Sequence, residues 1–243
     1  MAGPLTTEAV VLRSMRFGEA DLILHVYTPM RGRVSAIAKG VRRSKSRFGG
    51  RLEPFFHLRL GLHEGRSDLM TVTSADTLSA YPRLREHGDA LDAAARACDA
   101  VGRLFETSDP HPEVFNLLCA MLGQLDADPD AAAAPERRLS FRLKLLLVAG
   151  IVPQLSSCAT CGESDVVSGF SAAAGGVVCA ACEAGSFGLD AGTHEFLVAA
   201  LASPLVDAPQ IGPREATLAD RIVVAMAEHH AHVRLRSFAG GAR

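Results

Sequence analysis

The sequence predicts an α+β protein in two parts. A five-stranded β-barrel occupies residues 1–80, and an all-helical domain over residues 81–243 carries a four-cysteine module at about 155–188. Three observations predict this. Apolar residues alternate with period two through the first 80 residues, they change to three- and four-residue spacing after Pro82, and two Cys-x2-Cys pairs interrupt the helical part. A chain of 243 residues is long enough for two domains with cores of their own.

The strands follow in order. "EAVVLRSMRF" supplies the first. In "ADLILHVYT" Leu22, Leu24 and Val26 share one face, and "RVSAIAK" repeats the theme. In "PFFHLRLGLH" Phe56, Leu58, Leu60 and Leu62 alternate with His57 and Arg59, and "DLMTVTSA" is the fifth. Turn residues separate them at Gly18, Pro29–Gly32 and Glu64–Gly65. Five short strands with one long connection between the third and fourth suit a small barrel, and the OB-fold is the first choice among these.

Beyond Pro82 the stripes are helical. Leu84, Leu91, Ala94, Cys98, Val101 and Phe105 form one, and Val114, Leu117, Leu118, Met121, Leu122 and Leu125 another. Cys98 and Cys119 lie on these stripes and read as inert core thiols. "DADPDAAAAPE" is a loop with helix-start character. "RRLSFRLKLLLVAGI" is a helix, apolar on most sides and therefore central, which Pro153 ends. Two more helices are expected near 191–202 and 214–234.

Charge divides the chain. The net charge is −2, yet residues 1–85 hold 14 Lys/Arg against 7 Asp/Glu, and the remainder holds 11 against 20. The two parts therefore expect different partners, one of them polyanionic. The excess is concentrated in "KGVRRSKSRFGGR", where Lys39, Arg42, Arg43, Lys45, Arg47 and Arg51 meet no acid; Arg33 precedes them. Such a stretch suits DNA phosphates, which it would bind in a salt-dependent and sequence-tolerant way. Gly40, Gly49 and Gly50 let the backbone bend close to a strand, and Phe48, Phe55 or Tyr27 would stack bases if exposed. The competing reading is a solubilising hairpin tip.

The longest apolar runs fall far short of the roughly 20 residues of a membrane span, and the first residues do not resemble a secretory signal. A cytoplasmic location with reduced cysteines is expected, so the cysteines are weighed as metal ligands before disulfides. Cys158-x2-Cys161 and Cys179-x2-Cys182, 17 residues apart, can close a tetrahedral thiolate site for one structural zinc per chain. An iron–sulfur cluster is the minor alternative. Four sulfurs leave no open position for water, which argues against catalysis. "HPE" at residues 111–113 fits half of a deaminase signature, but Ser157 precedes Cys158 and the second pair completes the shell without His111. No Walker loop, carboxylate pair or nucleophile motif is present, and no enzymatic activity is expected.

The segments "GEADLILHVYTPMRGRVSAIAKGVRRSKSRFGGRLEPF" at 18–55 and "FRLKLLLVAGIVPQLSSCATCG" at 141–162, with a weaker "VRLRSF" near the C-terminus, resemble the RecO family of bacterial DNA-repair and recombination mediators. The resemblance implies an OB-fold, a helical domain and, in many members, a zinc module. It also implies binding of single- and double-stranded DNA and annealing of complementary strands. With RecR, in the RecF pathway, such a protein helps to load RecA onto DNA coated with single-stranded-DNA-binding protein. In the family the acidic, apolar tail of that protein docks on the helical domain. Arg137, Arg138 and Arg142, beside Leu139 and Phe141, offer a fork and a pocket of the kind such a tail needs. The alternative is an RNA-binding or ribosome-associated OB-fold protein with a structural zinc.

Overall fold

The computed structural model describes residues 4–43, 46, 48–65, 69–164 and 167–237. Two compact units divide the chain at residues 130 and 131.

In the first unit the strands are β1 (Pro4–Phe17), β2 (Asp21–Thr28), β3 (Gly32–Ala38), β4 (His57–His63) and β5 (Met70–Ser79). They close into a barrel in the order β1-β2-β3-β5-β4, with β4 pairing back onto β1. One long strand serves two partners. Residues 4–10 of β1 pair with β4 and residues 10–17 with β2, and a bulge between Val11 and Arg13 turns the strand from one to the other. All pairings are antiparallel except a short parallel one between β3 and β5. The predicted alternation fills the interior: Ala9, Val11, Leu24, Val26, Val34, Ala36, Leu58, Leu60, Leu62 and Val72 are buried together.

The first unit does not stop at residue 80. Helices α1 (Pro82–Glu86), α2 (Gly88–Leu104) and α3 (Pro112–Ala127) belong to it. The reason is an apolar patch on the outside of the barrel. α2 lies against β1 and α3 against β2, so that Val10, Leu12 and Tyr27, which do not fill the barrel interior, are also buried. Tyr27 meets Phe105 edge-on at 6.4 Å, and His57 meets Phe115 at 5.6 Å. Cys98 is buried on α2, and burial pushes its thiol well above the usual range.

The second unit is built around α5 (Pro135–Val148), preceded by the short α4 (Pro129–Ala133). α5 packs against α6 (Ala191–Ala202) and α7 (Pro213–Ala231). Its Leu139, Phe141, Leu143, Leu145 and Leu146 are buried, in accord with a central helix. α5 ends earlier than Pro153. Gly150 takes a φ of 75°, its amide donates to Leu147 O at 3.1 Å, and Ile151 N donates to Leu146 O at 2.8 Å. That pattern caps the last turn, and a left-handed residue here favours glycine. Asp190 caps α6 by accepting from Thr193 N at 2.7 Å, which holds its carboxyl below the usual range. Between α5 and α6 lies a small sheet, β7-β6-β8, made of β6 (Gly169–Ser171), β7 (Gly176–Val178) and β8 (Phe187–Gly188). Among the described residues no helix is long and apolar enough to cross a membrane.

Candidate nucleic-acid interface and metal centre

The stretch between β3 and β4 is pinned at three places. At its start, Gly40 N donates to Asp21 Oδ1 at 2.8 Å and Arg42 N to Ala20 O at 3.0 Å, which fastens it to the β1–β2 turn. In its middle, Phe48 and Leu52 are 1% and 2% exposed and join the barrel core. At its end, the Arg85 guanidinium donates to Pro54 O at 2.6 Å and lies over the Phe56 ring at 4.3 Å. Gly40 and Gly49 adopt φ of 69° and 56°, so these glycines serve defined tight turns rather than loose backbone.

Anchoring the apolar residues inward leaves the cations outward. Lys39, Arg42, Arg43 and Arg51 are exposed, and among the described residues none of them forms an ion pair. Lys45 and Arg47 lie outside the described residues. Expectations for four residues need correction. Phe48 offers no ring to a base, because it plugs the barrel; Tyr27 and Phe55 are buried as well. Arg33 is half-buried and engaged, donating to Gly102 O at 2.8 Å with Glu106 at 3.7 Å, so it is not open to solvent as the other cations are.

Sequence reasoning missed Phe17. This ring is 50% exposed at the end of β1, beside the turn to which the basic stretch is bonded. Parity alone would have turned it inward with Ala9 and Val11; the bulge between Val11 and Arg13, which the period-two pattern does not reveal, turns it out.

In the second unit the two Cys-x2-Cys pairs meet. Gly162 N donates to Cys158 O at 2.8 Å and Cys182 N to Cys179 O at 3.0 Å, each closing a tight turn. β6 and β7 bring the turns together through Ser168 N to Val178 O and Ala159 N to Val177 O. Side-chain bonds from His194 to Leu155 O and from His230 to Ala172 O, both 2.7 Å, tie the module to α6 and α7. The sulfurs of Cys158, Cys161, Cys179 and Cys182 lie within 4.8 Å of one another, and Cys161 and Cys179 are 3.7 Å apart. Zinc–sulfur bonds of about 2.3 Å in a tetrahedron require edges of about 3.8 Å, so the cluster fits that ion. Electrostatics agree. Backbone amides of Cys179 and Cys161 hold the Cys158 thiol down to about 6, whereas the sulfurs of Cys161 and Cys179 push Cys182 up to about 12. Four sulfurs this close cannot all be ionised without a cation among them. A bound zinc would leave no position for a substrate; its contribution would be to cross-link the module.

The proposed tail-docking fork changes most. Arg142 is 2% exposed and donates to Asp220 Oδ1 at 2.9 Å and to Arg236 O at 2.6 Å, while Ser237 Oγ donates to the other Asp220 oxygen. It is an internal ion pair with no face for a partner. Leu139 and Phe141 are likewise buried and form no open pocket, whereas Arg137 and Arg138 are half-buried on the first turn of α5.

Models for two protein families match the chain: Recombination protein O N terminal over residues 1–81, and Recombination protein O C terminal over residues 85–238. The DNA repair protein RecO of Rubrobacter xylanophilus is 40% identical over 208 residues, covering 83% of this chain and 82% of the relative. That of Anaeromyxobacter dehalogenans is 38% identical over 240 residues, covering 93% and 91%. That of Thermobifida fusca is 36% identical over 242 residues, covering 95% of each. With both family models accounting for nearly its whole length, the chain belongs to the RecO family.

Proposed function

We propose that this chain is a DNA-repair and recombination mediator without enzymatic activity, whose first unit is an OB-fold that binds single- and double-stranded DNA. The family carries the coarse role. The observation that carries the finer one is the exposed, one-signed group Lys39, Arg42, Arg43 and Arg51, held outward by the burial of Phe48 and Leu52. Each cation that neutralises a phosphate releases a counterion and reads no base. A surface that screens repulsion between two strands and leaves their base edges free lets pairing supply the free energy of annealing.

In this reading the protein anneals complementary strands and, with RecR, helps RecA onto DNA coated with single-stranded-DNA-binding protein. Arg137 and Arg138 are the remaining candidates for that protein's acidic tail. Zinc at Cys158, Cys161, Cys179 and Cys182 is structural. The test is annealing of complementary oligonucleotides, naked and coated, with and without RecR. Wild-type protein should accelerate both, and the Arg42→Ser/Arg43→Ser variant should do so poorly. Binding of RNA with no acceleration of annealing would instead favour an RNA-binding or ribosome-associated protein.

A further inference from the structure

The second unit carries a cavity that neither the cysteine module nor the buried Arg142–Asp220 pair uses. α6 forms one wall, through Phe196 and Ala199, and the segment leading into α7 forms the other, through Pro209 and Ile211. The space measures about 460 Å³, within the range of ligand sites. Phe196 is only 3% exposed and gives the cavity an apolar floor. Apolar surface continues outside it. Val198, on the turn of α6 that follows Glu195, is 45% exposed, and Val206, between α6 and Pro209, is 58% exposed.

Two carboxylates stand at the edge. Glu195 lies one turn before Ala199 on α6, and Glu215 is on the first turn of α7. Glycine makes room for the second. A Cβ at Gly212, the residue before α7, would collide with the Glu215 carboxylate, and one at Gly192 would come within 3.3 Å of its Cγ. Glu215 is therefore set between the starts of two helices, half-buried, with the exposed Glu195 across the cavity. Neither has an answering charge: among the described residues, neither forms an ion pair. Arg214, the neighbour of Glu215 in the chain, is exposed and does not pair with it. Arg221, farther along α7, is engaged over the Phe187 ring at 4.3 Å, and His194 is bonded to Leu155 O.

We infer that this cavity docks a protein partner presenting an arginine between apolar residues, the guanidinium meeting Glu195 and Glu215 and its stem lying over Phe196 and Ile211. Charge complementarity selects the occupant. Two unpaired carboxylates repel nucleic-acid phosphates and an acidic tail alike, whereas a guanidinium fork bonds carboxylates in parallel. The arginine stem is itself apolar and lies well along an apolar wall. Apolar residues on either side of the arginine would cover Val198 and Val206, which a small cation would leave in water. The site is opposite in sign to the stretch between β3 and β4, and it does not rest on the DNA-binding reading.

The experiment titrates zinc-replete full-length protein into a labelled heptapeptide with one central arginine flanked by leucines, and reads fluorescence anisotropy. Two control peptides carry citrulline for the arginine, which keeps the shape without the charge, or serines for the leucines. The arginine peptide should bind about tenfold more tightly than either control. Glu195→Gln with Glu215→Gln should weaken the arginine peptide about tenfold, as expected for losing both partners of a half-buried cation. The same variant should bind the citrulline peptide as wild type does and melt at the wild-type temperature. Equal affinity for arginine and citrulline peptides, or a variant that binds the arginine peptide like wild type, would overturn the inference. Serine and leucine peptides that bind alike would reduce the site to unspecific charge attraction and overturn it too, as would wild-type protein that bound none of the three.

Discussion

The stretch between β3 and β4 and the segment from Cys158 to Cys182 are both long, glycine-bearing departures from regular structure, and they are held by opposite means. The first uses two buried apolar side chains, Phe48 and Leu52, and turns its cations outward. The second gathers its sulfurs onto one point, with Cys158 and Cys179 buried, and offers little charge to a partner. A loop anchored by hydrophobic residues can devote its remaining side chains to a ligand. A loop anchored by four thiolates spends its most reactive groups on its own shape. On the DNA-binding reading proposed above, function belongs to the first and stability to the second.

Removing the metal should have the largest effect. Folding and metal-binding free energies are linked in such modules, so purified protein should hold one zinc, and Cys158→Ser or Cys179→Ser should abolish it. A fall in melting temperature of about 10 °C, corresponding to a few kcal/mol in a unit this size, should follow. Oligonucleotide binding should persist, because it belongs to the other unit. Zinc-free protein with reduced thiols and an unchanged melting curve would rule out a stabilising metal in the second unit.

Next is the apolar anchor. Phe48→Ala should destabilise the first unit by about 3–5 kcal/mol, the usual range for a buried phenylalanine, and leave zinc content unchanged. If thermal melting shows no loss, Phe48 does not hold the stretch.

Charge removal is gentler on the fold. Arg42→Ser with Arg43→Ser should flatten the dependence of log affinity on log salt by about 1.4, or roughly 0.7 per lost phosphate contact on a single strand. The melting temperature should hardly move, since exposed charges contribute little to folding. An unchanged slope would return the stretch to a solubilising role.

The smallest effect concerns His25. Its pKa is lowered by burial and by Arg33 and Arg13, so below its unfolded value near 6.5 the unfolded chain binds more protons than the folded one. Stability from this group is full above that value and declines as pH falls through it towards the folded value. Replacing His25 with Gln should make the acid side of a melting-temperature profile slightly flatter; an identical profile would mean His25 titrates alike in both states.

The sequence made the barrel legible because alternation of Leu58, Leu60 and Leu62 has one physical meaning, and the cysteine module legible because ligand spacing is strict. The basic stretch was legible as charge but not as shape. Nothing local distinguishes Phe48, flanked by arginine and glycine, from an exposed stacking ring; only the barrel's open interior pulls it in. Arg142 misled for the same reason. Its partner Asp220 is 78 residues away, and a pairing of that range leaves no periodic trace. The outward turn of Phe17 depended on a single bulge, and the extent of the first unit on an apolar patch outside the barrel rather than within it.

The Arg142–Asp220 pair has a consequence in time. Both side chains are buried, and the carbonyl of Arg236 and the hydroxyl of Ser237 complete their bonding. Until residues 236 and 237 emerge from the ribosome, a charged pair in the middle of the second unit lacks two of its partners. The first unit is complete in sequence at residue 130. At typical synthesis speeds of about 5–20 residues per second, the barrel therefore has roughly 5–20 s to fold alone before its companion can close. A nascent chain would display its cationic surface first, and would gain its second unit only when residues 236 and 237 arrive to lock it.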